Sequence, residues 1–225
     1  MIEMAEDWKK LYPGAVIGVL VMKGAGNPSA PAQLETLREG VEAELRGRFA
    51  AGEKEALMAD PVMAAYENYY RPFRKTYHVM LQRESVVWKG RRIPSVSALV
   101  QAMFMAELKN GLLTAGHDLG RVLLPVTIGV GTGTETYSTM GGAERVLKEG
   151  DMRISDARGI ISSIIYGPDD RTAIGPETTD LLFMVYAPPG IGTERVGSHL
   201  EDIRRYVAVV APQAVSETLE TCVAG

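Results

Sequence analysis

Two short polar clusters contain the residues whose types are best suited to chemistry. His117 and Asp118 follow one predicted buried strand, and an Asp-Asp-Arg-Thr run at 169–172 follows another. A rigid strand that ends in polar side chains can present them at the edge of a pocket. Adjacent strand residues point to opposite faces, which argues against a direct His117–Asp118 pair. His117 is therefore either a pocket residue or a hydrogen-bonded histidine of the core.

Other common catalytic and cofactor patterns are missing from the sequence. It contains neither the G-x-S-x-G motif nor the H-E-x-x-H motif. The glycine-rich stretch 129–134 lacks the lysine of a phosphate-binding loop. The single cysteine, Cys222, excludes an intramolecular disulfide and a cysteine-based zinc site. We therefore expect no cofactor and no bound metal.

The segment 66–92 differs in charge from the rest of the chain. It has seven basic and two acidic residues, a local charge of +5 in a protein of net charge −4. Tyrosines, one phenylalanine and one tryptophan alternate with these charges. Basic groups for phosphates and flat rings for bases are typical of single-stranded nucleic-acid contacts. The alternative is a solvated basic face whose aromatic rings point into the core.

Regular elements must position these clusters. The apolar runs Ala15–Met22 and Leu181–Ala187 predict buried strands. Capping residues followed by proline predict helices that begin at Ser29–Pro31 and at Asp60–Pro61. A further helix should end at Asn110–Gly111. Thr193 should begin the last long helix, with His199 at the surface or its boundary, and the tail after Pro212 is predicted to form a short helix.

Composition limits the class of protein. The chain has 225 residues, of which 46% are hydrophobic, and a pI near 5.5. Helices and strands mix without regular alternation and no linker is visible, which predicts one α+β domain over residues 1–225. Its sheet should be mixed, mostly antiparallel and packed by helices. No apolar run reaches the length of a membrane span and no secretory signal is present, so we expect a cytoplasmic protein with no membrane partner.

Three stretches in order resemble a known family. MAELKNGLLTAGHDLG at 105–120, SSIIYGPDDRTAI at 162–174 and TTDLLFMVYAP at 178–188 look like the B3/B4 domain of the phenylalanyl-tRNA synthetase beta subunit, and most closely its free-standing members. The resemblance extends from about residue 15 to residue 211. In the synthetase this domain hydrolyses the ester of tyrosine wrongly attached to the phenylalanine tRNA. It implies a pocket for the aminoacyl end of tRNA and attack by water rather than by a serine or cysteine.

The resemblance also assigns expected roles to residues. His117 would position the attacking water or the terminal ribose. Asp169 or Asp170, in the turn that contains Thr172, would bind the α-ammonium of the substrate. By their position in loops rather than by a motif match, four residues are expected to line the pocket: Glu135, Tyr137, Gly141 and Gly142. The basic aromatic segment 66–92, rather than a motif match, provides the five residues expected to contact the tRNA 3′ end weakly: Arg71, Arg74, Lys75, Arg91 and Arg92.

The predicted function is thus tRNA binding and hydrolysis of a mischarged aminoacyl-tRNA. A binding module that holds a free amino acid or small metabolite without catalysis is the main alternative. A tRNA- or protein-docking domain without a working pocket is the third.

Overall fold

A computed structural model describes residues 2–27, 32–49, 59–95 and 97–225. The helices in these ranges are α1 (Glu6–Leu11), α2 (Ala32–Arg48), α3 (Pro61–Tyr70), α4 (His78–Val87), α5 (Ala98–Asn110) and α6 (Thr193–Val210). The strands are β1 (Ile2–Met4), β2 (Val16–Lys23), β3 (Thr114–Asp118), β4 (Val126–Val130), β5 (Thr136–Ser138), β6 (Glu144–Val146), β7 (Met152–Asp156), β8 (Gly159–Ser163), β9 (Gly167–Pro168), β10 (Leu181–Ala187) and β11 (Val215–Val223). None of the described helices has the length and apolar character to span a bilayer.

The strands form two larger sheets and one hairpin. The five-stranded sheet has the order β1-β4-β7-β8-β9, and the four-stranded sheet has the order β11-β2-β10-β3. Strands β1 and β4 are parallel, whereas the other pairs are antiparallel. Strands β5 and β6 form a separate antiparallel hairpin. The predicted α+β class, with mixed and mostly antiparallel sheets packed by helices, is confirmed.

The four-stranded sheet is built around β10. All seven residues of β10 are buried, and β2 and β3 pair with its two edges. Helix α6 covers this sheet so closely at Gly18 that a Cβ there would lie 2.5 Å from a methyl group of Val196. Only glycine permits this approach of helix to sheet. The strands predicted at Ala15–Met22 and Leu181–Ala187 are therefore both present.

Local signals correctly placed two helix ends. The Asp60 carboxylate accepts a hydrogen bond of 3.0 Å from the Val62 amide at the start of α3. Helix α5 ends at Gly111, whose φ of 73° lies in the left-handed region that glycine adopts without strain. The buried Arg83 guanidinium on α4 donates to the carbonyls of Leu108 and Lys109, which the end of α5 leaves without helical partners.

Two sequence predictions are wrong. The tail predicted as a helix is strand β11, because residues 215–223 pair with β2 and tertiary pairing overrides local preference. His199 is fully buried rather than at the surface, since its ring lies between Thr114 and Asn110. The predicted helix start at Ser29–Pro31 lies outside the described residues, and the described part of α2 begins at Ala32.

The aromatic rings of segment 66–92 point mainly into the core. Tyr66, Tyr69, Tyr70 and Tyr77 are buried, and the rings of Tyr66 and Tyr77 stack with centroids 4.1 Å apart. Their hydroxyls donate to protein groups, as Tyr70 does to the Ile164 carbonyl at 3.0 Å. For these four rings the structure agrees with the alternative interpretation, in which the basic residues form a solvated face and the aromatic rings point into the core. Trp88, by contrast, is exposed.

Candidate functional site

A cavity of about 230 Å³ lies between helices α4 and α5, strand β3 and the β8–β9 turn. Its wall is mostly apolar. The described lining residues are His78, Gln82, Val100, Met103, Phe104, Glu107, Leu113, Thr114, Ala115, Gly116, Met140, Ser163, Gly167, Pro168, Ile174 and Tyr186. Strand β3 is at one edge of the four-stranded sheet, and strand β9 is at one edge of the five-stranded sheet. The cavity lies between these two edges, which do not pair with each other. Such a volume accommodates a group of the size of one amino-acid side chain.

Among the described residues of this wall, Glu107 is the only one with a carboxyl side chain. It lies on the last turns of α5 and is only 2% exposed. Its Oε2 accepts a hydrogen bond of 3.0 Å from the Thr114 amide. Burial raises the pKa of Glu107 to about 8, and the Thr114 hydrogen bond only partly opposes this rise. The cavity therefore contains a carboxyl group that is protonated at neutral pH.

The remaining polar groups of the wall are hydroxyls, one amide and one imidazole. The Ser163 hydroxyl accepts from the Tyr166 amide at 3.2 Å, and the Tyr186 hydroxyl contacts Ser162 deeper in the core. Asp151 lies behind this region and accepts a hydrogen bond of 2.7 Å from Tyr69. Burial raises the pKa of Asp151 to about 6. Along the described wall no arginine or lysine offsets these groups.

His117 directly follows a residue of the cavity wall in the sequence, but it does not line the cavity itself. Its neighbour Gly116 contributes to the wall, whereas His117 itself is 0% exposed. Its Nδ1 lies 2.7 Å from the Thr172 hydroxyl oxygen. Thr172 in turn donates its hydroxyl and its amide to Asp169, whose other oxygen lies 3.6 Å from Nε of Arg171. Three of the predicted site residues, His117, Asp169 and Thr172, are thus joined in one chain of contacts.

This chain fixes the tautomer of His117. The Thr172 hydroxyl has a single proton, which it donates to Asp169, so His117 must donate through Nδ1–H. The Nε2 lone pair then has no hydrogen-bond partner within the described ranges of the chain. Burial, with a smaller contribution from Arg171, lowers the pKa of His117 to about 3, so the ring is neutral. His117 presents a neutral acceptor in a closed environment.

The other predicted substrate-binding residues are dispersed around the cavity. Glu135 accepts hydrogen bonds from Thr132 in its own turn, and Asp170 accepts one of 3.1 Å from Ser138. The Tyr137 hydroxyl donates to the Gly167 carbonyl at 2.7 Å. Gly141 and Gly142 form the exposed turn of the β5–β6 hairpin, both with positive φ. Their neighbour Met140, not the glycines, lines the cavity.

The five residues predicted to contact tRNA are all exposed, but they are not equivalent. Arg71 and Arg74 flank a short 3-10 turn, followed by Lys75. Arg92 pairs with the carboxylates of Glu35 and Glu39 across to α2, so its charge is partly offset. The tRNA contact stays a prediction, and Arg71, Arg74 and Lys75 are its strongest group.

None of the predicted site residues is among those that line the described cavity wall. The predicted positions His117, Asp169 and Gly141 each have an immediate neighbour in the cavity wall, namely Gly116, Pro168 and Met140. Glu107 was missed. A carboxylate among the buried, apolar positions of a central helix was the available signal, because an unpaired carboxyl is rarely buried.

Within the ranges that the structure describes, no group of three histidine, cysteine, aspartate or glutamate side chains could hold a metal ion.

Comparisons with known proteins give a likeness of fold. No family model matches the sequence, and no curated protein matches it. Among solved structures, the chain is similar to an N-terminal fragment of the phenylalanyl-tRNA synthetase beta-subunit from Pyrococcus horikoshii, with a TM-score of 0.48 and 10% identity. The match covers 97% of this chain and 54% of that one, so the chain spans about half the length of the fragment. This likeness concerns the fold alone.

Proposed function

We propose that the cavity between α4, α5 and β3 binds the aminoacyl group of a mischarged tRNA and that the protein hydrolyses its ester. The observation that carries this proposal is the mostly apolar cavity of about 230 Å³. Its size suits one amino-acid side chain, and apolar walls with a few polar groups are typical of small-ligand sites. The sequence resemblance to a tRNA-editing domain supplies the reaction class.

In this reaction water attacks the ester carbonyl carbon. The bond to the terminal ribose oxygen breaks, that oxygen takes up a proton, and the free amino acid and tRNA leave. The sequence resemblance, rather than the lining residues, assigns the role of nucleophile to water, because the wall includes the Thr114 hydroxyl in contact with His199. His117 remains the predicted residue that positions this water; its Nε2 has no hydrogen-bond partner among the described residues, although its ring does not line the cavity.

Exposed basic residues provide the proposed contact with the tRNA backbone. Arg71, Arg74 and Lys75 lie at the turn between α3 and α4, directly before His78 at the cavity wall. Phosphate contacts of this kind weaken as salt concentration rises. Because the whole chain is acidic, we expect weak and transient binding.

The test is deacylation of a panel of mischarged tRNAs. Val100→Phe, which narrows the cavity, should lower the rate at least about tenfold, whereas the matched change Val215→Phe on exposed β11 should leave it unchanged. The triple change of Arg71, Arg74 and Lys75 to Glu should abolish tRNA binding. If the native protein releases no amino acid from any tRNA, the hydrolase proposal is wrong.

A non-catalytic module for a free amino acid or small metabolite is the second candidate. The burial of His117 outside the cavity wall favours it, because a core histidine needs no catalytic role. Calorimetric binding of free amino acids together with absence of turnover would identify this function.

A further inference from the structure

Resting on the proposed function, we infer that Glu107 selects ligands that carry a free ammonium group and serves as the counter-ion of that group. The apolar body of the ligand would fill the cavity, and its ammonium would lie against the Glu107 carboxylate. Glu107 is then a specificity-determining residue, separate from the predicted water-positioning role of His117.

The first observation is that Glu107 lacks a cation. Its one hydrogen bond within the described protein comes from the neutral Thr114 amide. The buried glutamate Glu42, by contrast, contacts Arg38 and Arg46. Buried carboxylates are ordinarily paired in this second way. The wall around Glu107 therefore contains a carboxyl group to which the described residues supply no cation.

The second observation concerns the groups that surround Glu107. Phenol rings face it from α3 and from the residue before α4, and Tyr186 faces the cavity from β10. Two imidazoles lie nearby: His78 lines the cavity from α4, and His199 on α6 hydrogen-bonds Thr114. Burial lowers the pKa of both histidines, so neither supplies a cation at neutral pH. None of the described groups around Glu107 is a cation at neutral pH, so in this proposal the ligand supplies it.

The two aspartates expected to bind an ammonium are already engaged. Asp169 accepts from Thr172 and lies near Arg171, and Asp170 accepts from Ser138. Neither lines the cavity. Among these three carboxyl groups, Glu107 alone combines a place in the wall with the absence of a cationic neighbour.

The pairing has a consequence for protons. In the ligand-free protein Glu107 is protonated below about pH 8. An ammonium ligand converts it to the carboxylate, so one proton leaves for each ligand bound at pH 6, where both partners are protonated beforehand. The affinity for the ammonium ligand should then rise nearly tenfold per pH unit around pH 6. A neutral ligand of the same shape releases no proton.

The experiment is calorimetry at pH 6 in two buffers that differ in ionisation enthalpy, which gives the number of protons released. The probes are the methyl esters of leucine, methionine, phenylalanine and tyrosine, and the desamino counterpart of whichever binds most tightly. We expect close to one proton released for the amino ester and none for its counterpart, with the counterpart at least about tenfold weaker.

Glu107→Gln should lose both the proton release and the preference for the amine, while the exposed control Glu149→Gln should keep them. The number of protons released by the Glu107→Gln variant is subtracted from that of the native protein. This also removes any contribution from Asp151, whose pKa is about 6. The comparison of the two probes on the native protein needs no variant and remains valid if Glu107→Gln fails to fold.

Two results would overturn the inference in different ways. Equal affinity for the amino ester and its counterpart, or binding without proton release, refutes the role of Glu107 and leaves the proposed pocket intact. If no ester binds and no mischarged tRNA is deacylated, the proposed function is wrong and this inference with it.

Discussion

Glu107 and His117 are both buried titratable groups, ten residues apart, but only Glu107 lines the cavity. His117 contacts Thr172, which donates to Asp169, and its Nε2 has no partner among the described residues. Glu107 lies in the cavity wall with one neutral partner. Burial alone therefore does not identify a site. An incomplete set of partners beside an open volume is the more informative feature, because a ligand can complete it.

The largest expected effect follows from the opposite pKa shifts of the two groups. The pKa of Glu107 is about 8 when folded and 4.5 as the ordinary value, so the folded protein holds the extra proton between these pH values. Its contribution to stability therefore falls as pH rises, by about 3 kcal/mol between pH 4.5 and 7. For His117 the folded pKa of about 3 lies below 6.5, so stability rises over that interval.

Urea unfolding of native protein and Glu107→Gln from pH 4 to 8 measures this difference. The free energy of unfolding of the variant should increase relative to that of the native protein as pH rises. Both proteins should keep the increase in stability with pH that the buried histidines cause. Parallel curves would show that Glu107 is not protonated in the folded state.

The second prediction concerns the Thr172 hydroxyl that links His117 to Asp169. Thr172→Val keeps the shape of this fully buried side chain but removes the hydroxyl between His117 and Asp169. Two buried polar groups lose a partner, so we expect a loss of about 2–3 kcal/mol in the free energy of unfolding. Chemical denaturation gives the value. Ligand affinity should change little, and a large loss of affinity at unchanged stability would assign Thr172 to the binding site instead.

The third prediction concerns the cavity wall. A Cβ at Gly116 would lie 2.9 Å from the Met103 sulfur and 3.0 Å from a methyl group of Ile174. Gly116→Val should therefore destabilise the fold by about 1–2 kcal/mol through overpacking and reduce binding of the methyl esters. Denaturation and calorimetry report the two effects. Unchanged affinity would mean that ligands do not approach β3.

The smallest expected effect is at Tyr137, which joins the hairpin to the cavity rim. Tyr137→Phe removes the hydrogen bond to the Gly167 carbonyl and should cost about 1 kcal/mol of stability. Because the hydroxyl faces that carbonyl, ester binding should change less than twofold. A loss of binding comparable to that of Glu107→Gln would place Tyr137 in direct contact with the ligand.

The parts of the fold with strong local signals could be predicted from the sequence. The Asp60–Pro61 start, the Gly111 stop and the apolar run Leu181–Ala187 each have a local physical cause. Strand β11 could not, because residues 215–223 become a strand through pairing with β2. The inward tyrosines of segment 66–92 share the same reason, since the direction of a ring depends on what packs beside it.

The candidate site was predictable only to the level of segments. The sequence identified the stretches around residues 117, 140 and 169, which do meet at one cavity. Strand register and helix rotation determine which side chains face that cavity. On β3 a difference of one position decides that Gly116 lines the cavity and His117 does not. The sequence signal for Glu107 is a carboxylate among the buried, apolar positions of a helix, but the sequence does not show whether a cation packs beside it.

The position of the cavity between two sheets that fail to join has a consequence for adaptation. Glycine and proline backbone at Gly116, Gly167 and Pro168 forms part of the wall, and main-chain atoms stay in place when side chains are exchanged. Under the proposed function, substitutions at helix positions such as Met103 and Phe104 would change the ligand preference while both sheets keep their pairing. The proposal thus separates the residues that would set selectivity from the strands that hold the fold together.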